Sequence, residues 1–287
     1  MAEPERRAIG ALNGRYMMRW AIISSTCEVG QEHPTRLRTI WTVHGPVRYR
    51  LNRCGANEVI TVVRGQNRRV CPHRVNHRAN MEALKRLGVD AVISTSMVGS
   101  LSSDLPPLTI VLPHQLIDFA RHTSPLLRQR RYREIDVTVP FDEDVRQAAH
   151  AALNRELPNA DVRSGCYVNI DGPRFETAAE IRMFHQLGGT IIGMTIGAEA
   201  LCARASGLPY ATISGVVNYG AGLRASTHLT RAEHLAHRAT LLTQLGPVLT
   251  ALTSSTLPHH TELADETDTI QQALIDSAIP PTLAIRL

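Results

Sequence analysis

The chain predicts an α/β fold, a sandwich of helices on a mostly parallel or mixed sheet. Three observations point there. Short β-branched runs recur and alternate with amphipathic stretches of helical period. Four of those runs, "AIISST", "AVISTSM", "TIIGMT" and "ISGVVN", stop in small hydroxyl residues or in Asn. Glycines close two of the helical stretches, at Gly88 and at Gly188-Gly189.

Taken in order, residues 18–26 ("MRWAIISST") read as a first strand that runs into a Ser/Thr loop. Residues 48–65 ("RYRLNRCGANEVITVVRG") read as two strands about a Gly-Ala-Asn turn. In 75–88, Met81, Leu84 and Leu87 recur every third residue and give a helix its apolar face. A core strand follows at 89–101 and another at 108–119. Residues 121–140 are basic and irregular. Residues 142–157 form an amphipathic helix that opens on acidic side chains, which its dipole favours. Next come a strand at 164–173, a helix at 175–189, a short core strand at 190–196, a helix at 199–208 and a strand at 210–218. A long helix covers 230–255, bent near Pro247, and a polar tail with a short helix at 268–278 ends the chain.

Composition narrows the function. The 287 residues are 43% hydrophobic and 20% charged, the balance of an ordinary globular domain. No apolar run is long enough to span a bilayer, and residues 1–7 are polar with no signal-type segment behind them, so the cytoplasm is expected. Five scattered cysteines form neither a CxxC pair nor a zinc spacing and are expected to be reduced. The 13 histidines include no HExxH pattern, and no metal is expected. The net charge of +5 is carried by arginine, with Lys85 the single lysine. Aromatic residues total 4%, too few for the stacking platforms of single-stranded nucleic acid. The basic cluster at 128–133 reads as a solvated or interface loop, and the one at 64–74 as a candidate anion site. Neither a Walker A loop nor a GxGxxG follows any strand.

In an open α/β sheet the carboxyl ends of the strands place ligands at one edge. Three of the four strand ends carry hydroxyl side chains. The fourth, in "ATISGVVNYGAG", carries Asn218, a polar residue that reads either as a turn former or as a ligand group.

Three stretches in order carry a resemblance: "GPRFETAAEIRMFHQLGGTIIGMTIGAEALCARASGLPYATISGVVN" (172–218), "CPHRVNHRANMEALKRLGVDAVISTSMVGSL" (71–101) and "LPHQLIDF" (112–119). Together they resemble the trimeric purine nucleoside phosphorylase and 5'-methylthioadenosine (or methylthioinosine) phosphorylase family, nearest its methylthioinosine branch. The resemblance implies a three-layer αβα sandwich with a mixed central sheet over 18–255, an N-terminal arm at 1–17 and a C-terminal extension at 256–287. It also implies a homotrimer with active sites near subunit boundaries.

The implied reaction is cleavage of a purine N-glycosidic bond, with inorganic phosphate as co-substrate and no cofactor. Asn218 matches the base-reading position, where family members that cleave 6-oxopurines place Asn and those that cleave adenine place Asp. A carboxamide both donates and accepts, so it meets N7 and O6 together. A donor at N7 stabilises the departing purine anion. Glu176 matches a group that accepts from N1–H, Phe175 one that lies against the base, and Met194 a ribose contact. Read without the resemblance, Glu176 is a first-turn helix acid, and Phe175 and Met194 are core.

The phosphate site departs from the pattern. Thr26, Ser96 with the backbone of Met97, and Thr195 match its hydroxyl loops, but "SSTCEV" stands where the family has a glycine-rich loop. Val63, Arg64 and Gly65 stand against an expected Arg-His-Gly, and Arg68 replaces a further His. Arg64 offers a planar fork suited to the same anion. At the sugar 5' end Glu134 stands near an expected His, and His228 is a second candidate. These departures keep two alternatives open: a phosphate-independent nucleoside hydrolase, and a homologue that binds purine nucleosides without cleaving them.

Overall fold

The computed structural model describes residues 17–25, 36–66, 70–120, 134–224 and 231–257. The arm apart from Met17, the basic cluster at 128–133, the helix expected at 268–278, and Thr26, Cys27, Arg68 and His228 lie outside the described residues.

Nine strands form one mixed sheet: β1 (Arg19–Ser24), β2 (Arg38–Thr42), β3 (Gly45–Cys54), β4 (Asn57–Val63), β5 (Ala91–Ser100), β6 (Ile110–Asp118), β7 (Val162–Asn169), β8 (Ile191–Gly193) and β9 (Tyr210–Tyr219). Among the described residues five α-helices accompany it: α1 (His77–Arg86), α2 (Glu143–Glu156), α3 (Ala178–Gln186), α4 (Ile196–Ser206) and α5 (Arg231–Thr253). Strands β4, β1, β5 and β9 lie parallel at the centre, and the β2–β3 hairpin extends one edge antiparallel. Beyond them the sheet closes on itself. Strands β6, β7 and β8 are mutually parallel, β8 meets the end of β5 at Gly99–Ser100, and β6 meets β9 at Ile110–Val111. The ring β5–β8–β7–β6–β9 is therefore complete, with β5 bonded to β1, β8 and β9.

Successive strand residues point to opposite faces, and the sequence fills both with apolar side chains. In β1, Ala21 and Ile23 join the core beneath α1 and α4, where Met81, Leu84 and Ala200 lie. Trp20 and Ile22 join the core beneath α2 and α5, with Leu153, Leu245 and Leu249. Helix layers on both faces explain why β9 is buried over its first eight residues, its Thr212 and Ser214 hydroxyls bonding inward to Ser94 and Ser96 of β5. The helices start where side-chain caps allow. Asn76 accepts from Ala79 N, Asp142 from Val145 N, and Thr177 and Glu180 form a capping box. Helix α5 runs through Pro247 to Thr253.

Two local departures from the sequence reading matter for the site. The expected strand at 190–196 ends at Gly193, and α4 begins three residues early, at Ile196, which makes Thr195 its N-cap. A Cβ on Gly193 would stand 2.0 Å from the Tyr167 hydroxyl, so only glycine lets β8 cross there. In β9 the pairing steps from Val98↔Val216 to Gly99↔Asn218, leaving Val217 as a bulge. Strict alternation would send Asn218 to the face opposite Val217. The extra residue keeps both on the α5 side, where Val217 packs in the core and Asn218 meets His234.

Candidate active site

The carboxyl ends of β1, β5, β8 and β9 open on one cavity of about 570 Å³. Ser25, Ser96, Met97, Met194, Thr195 and Asn218 line it, as do Phe175 and Glu176 from the turn before α3. The predicted strand ends thus converge, and the base, ribose and phosphate candidates among the described residues face one space.

Asn218 is half-buried, and its carboxamide is held from both sides. Nδ2 donates to Tyr219 O at 3.0 Å. A carbonyl only accepts, so this contact fixes the amide orientation and leaves Oδ1 facing His234 Nδ1 at 3.4 Å. That histidine must then carry its proton on Nδ1. Burial first, then the charges of Arg238 and His237, lower the His234 pKa and favour the neutral ring. One N–H of Asn218 Nδ2 remains for the cavity.

Phe175 is not core: 54% of its surface is exposed, and its ring stands edge-on to His234 with centroids 6.4 Å apart. Glu176 is half-buried, and burial raises its pKa ahead of the opposing effect of Arg174. Met194 packs so tightly on the preceding loop that a Cβ on Gly172 would come within 2.5 Å of its sulfur.

The anion candidates are arranged differently from the sequence expectation. Arg64 is buried, and its guanidinium turns away from an incoming anion: Nε and Nη2 reach the Glu199 carboxylate at 2.6 and 3.0 Å, and Nη2 also donates to Thr95 O at 2.9 Å. Glu199 has no exposed surface and also accepts from the Tyr210 hydroxyl at 2.9 Å. The Ser96 hydroxyl is spent on Ser214 at 2.8 Å. At the start of α4, Gly197 N donates to Asn169 Oδ1. The physical reason is common to all of these: a buried donor needs an internal partner in the folded chain. Thr195 makes no side-chain cap bond and keeps its hydroxyl at the cavity. Glu134 is exposed and does not line the cavity of the single chain.

Two further lining residues, His234 and Arg238, escaped the sequence reading. Their signal is an i,i+4 pair on a helix read only for its extent and its bend. Among the described residues no group of three His, Cys, Asp or Glu gathers for a metal, and no helix is long and apolar enough to cross a membrane.

Comparison with known proteins agrees with this geometry. Residues 26–254 match the model of the family described as the phosphorylase superfamily. The "6-oxopurine nucleoside phosphorylase" of Pyrococcus furiosus is 39% identical over 210 residues, 69% of this chain and 77% of that protein. The "Probable S-methyl-5'-thioinosine phosphorylase" of Methanopyrus kandleri is 38% identical over 192 residues, 66% of this chain and 75% of that protein. A crystal structure of methylthioadenosine phosphorylase from an antarctic soil metagenomic library superposes with a TM-score of 0.78 at 27% identity, covering 86% of this chain and 91% of that one. A mixed sheet with the four predicted strand ends on one cavity, and a family match over most of its length, place this chain in the phosphorylase superfamily.

Proposed function

We propose that the chain cleaves the N-glycosidic bond of 6-oxopurine nucleosides and their 5'-modified analogues, with inorganic phosphate as the nucleophile and no cofactor. The carrying observation is Asn218, a carboxamide pinned by Tyr219 O and His234 at the cavity, beside Phe175 and Glu176. Its remaining N–H supplies N7 of the base. Donation there grows stronger as the purine takes up negative charge, so it favours the transition state over the bound substrate. Glu176 accepts from N1–H, which hypoxanthine and guanine carry and adenine does not. Phe175 covers the ring, and Met194 meets the ribose. Phosphate is held by Thr195, Thr26 and the stretch of β5 at Ser96–Met97.

The relatives' names support a 6-oxopurine preference with room for a 5' substituent. A homotrimer in the cytoplasm is part of this reading, with Glu134 and His228 near the 5' end at a subunit boundary.

The test is incubation with inosine, guanosine and 5'-methylthioinosine, with and without phosphate. Ribose 1-phosphate and free base are expected only when phosphate is present. Free ribose at an undiminished rate without phosphate would instead establish a hydrolase, the reading that the engagement of Arg64 by Glu199 favours. Tight binding with no base release would leave a nucleoside-binding protein.

A further inference from the structure

Arg238 faces the cavity and, among the described residues, has neither an ion pair nor a hydrogen bond. The other two guanidinium groups that line the cavity are taken. Arg64 is held by Glu199, and Arg174 by Glu180 at 2.6 and 2.9 Å. Nor does Arg238 fasten α5 to the sheet, because that task falls to His237, whose Nδ1 meets Val217 O at 2.7 Å. A half-buried guanidinium without a carboxylate leaves its donors free for an anion that enters the space it faces.

The position of Arg238 decides which anion. It lies one turn along α5 from His234, and His234 touches both Asn218 and Phe175, the base-reading residues. Arg238 therefore stands on the base side of the bound nucleoside. The nucleophile attacks C1' from the ribose face opposite the departing base, so a cation on the base side does not serve it. In a β-nucleoside the 5' carbon projects from the same ribose face as the base. The layers agree with this. Thr195 caps α4, which belongs to the core shared with α1, whereas α5 belongs to the opposite core with α2.

We propose that Arg238 is a specificity-determining residue that binds an anionic group, a phosphate or a carboxylate, on the 5' position of a 6-oxopurine nucleoside. This inference rests on the function proposed above and names the substrate class of the same cavity. Arg238 forms a charge-assisted pair with the 5' oxyanion. It holds the ribose by its far end while C1' moves from the base toward phosphate.

The test compares inosine 5'-monophosphate, inosine and 5'-methylthioinosine in the presence of inorganic phosphate, by kcat/KM and by calorimetric binding of the monophosphate. The native chain is expected to prefer the monophosphate over inosine at least tenfold. In Arg238→Met that ratio is expected to fall at least tenfold, and in Arg238→Lys most of it is retained. Base release from inosine, with the monophosphate bound and cleaved no better, would overturn this inference and leave the proposed function standing. No release from any nucleoside would overturn both. A rise in KM for inorganic phosphate in Arg238→Met, with the monophosphate-to-inosine ratio unchanged, would assign Arg238 to the nucleophile and also overturn it.

Discussion

Gly99 and Asn218 are register partners across β5 and β9, directly after the bulge, and a Cβ on Gly99 would stand 3.3 Å from Asn218 Nδ2 and 3.2 Å from Ile192 Cγ2. The carboxamide keeps its place because the residue opposite it has no side chain.

Gly99→Ala tests that relation. The added methyl displaces the Asn218 amide by a few tenths of an ångström and weakens its bond to Tyr219 O. The expected result is a fall of about tenfold in kcat/KM on inosine, in line with the sensitivity of catalysis to small misplacements. Thermal stability is expected to stay close to native. Steady-state kinetics beside a melting curve separate the two, and unchanged kinetics would detach Gly99 from the site.

Asn218→Asp replaces a group that donates and accepts with one that, ionised, only accepts. Preference is expected to move toward 6-aminopurines, with inosine losing about two orders of magnitude in kcat/KM, because a site built to hydrogen-bond a substrate group rejects a mismatch strongly. Parallel assays on inosine and adenosine measure the change. Equal losses on both substrates would remove Asn218 from base recognition.

Glu176 is expected to set the acid limb of activity. Burial, and then the charge of Glu180, hold its pKa above the ordinary 4.5, and in the proposed function its ionised form is the one that accepts N1–H. As pH falls through that raised value the acceptor is lost, so kcat/KM on inosine is expected to drop at a higher pH than an ordinary glutamate would give. Glu176→Gln should lose that limb and part of the preference for inosine over adenosine. A pH profile of kcat/KM for both proteins decides it.

Arg64 and Glu199 are the subject of a stability prediction. Burial alone would raise the Glu199 pKa, but the charge of Arg64 and the contacts of His77 and Arg64 outweigh it and hold it at about 2. The folded-state pKa lies below the unfolded one. The pair's contribution is therefore complete above the ordinary 4.5 and is lost as pH falls through about 2. Glu199→Gln leaves a buried guanidinium unpaired and is expected to cost about 3–5 kcal/mol near neutrality. The double change Arg64→Met with Glu199→Leu should recover most of that loss. Urea titrations at pH 7 and at pH 3 measure both effects. A single variant as stable as the native chain would show that the pair contributes nothing.

The sequence reading located the strands and helices that carry the site, because each rests on local signals. The β-branched runs, the three-residue recurrence of Met81, Leu84 and Leu87, and the glycine after α1 all act within a few residues. It missed β2, a short edge strand whose Arg and Thr residues alternate with only Ile40 and Trp41 as apolar cues. It also missed the closure of the sheet, which depends on pairings between segments remote in sequence, such as Ile110 with Gly215. The internal partners of the anion candidates were hidden for the same reason. What Arg64 does is set by Glu199, 135 positions away, and what Ser96 does by Ser214, 118 away. His234 and Arg238 lie on a helix whose apolar residues face the core, and the meeting of His234 with Asn218 follows from the bulge at Val217, which no local pattern announces.

The ring of strands has a mechanical consequence. Near Gly99, β5 is bonded to β8 on one side and to β9 on the other, so the seam lining the cavity cannot fray from an open border. Separating it means tearing two ladders at once, which ties loosening of this floor to melting of the domain as a whole. Amide protons from Val98 to Ser100 should accordingly be among the slowest to exchange with deuterated water. Breathing that admits substrate is then left to the rim, where Phe175 and Arg174 stand exposed.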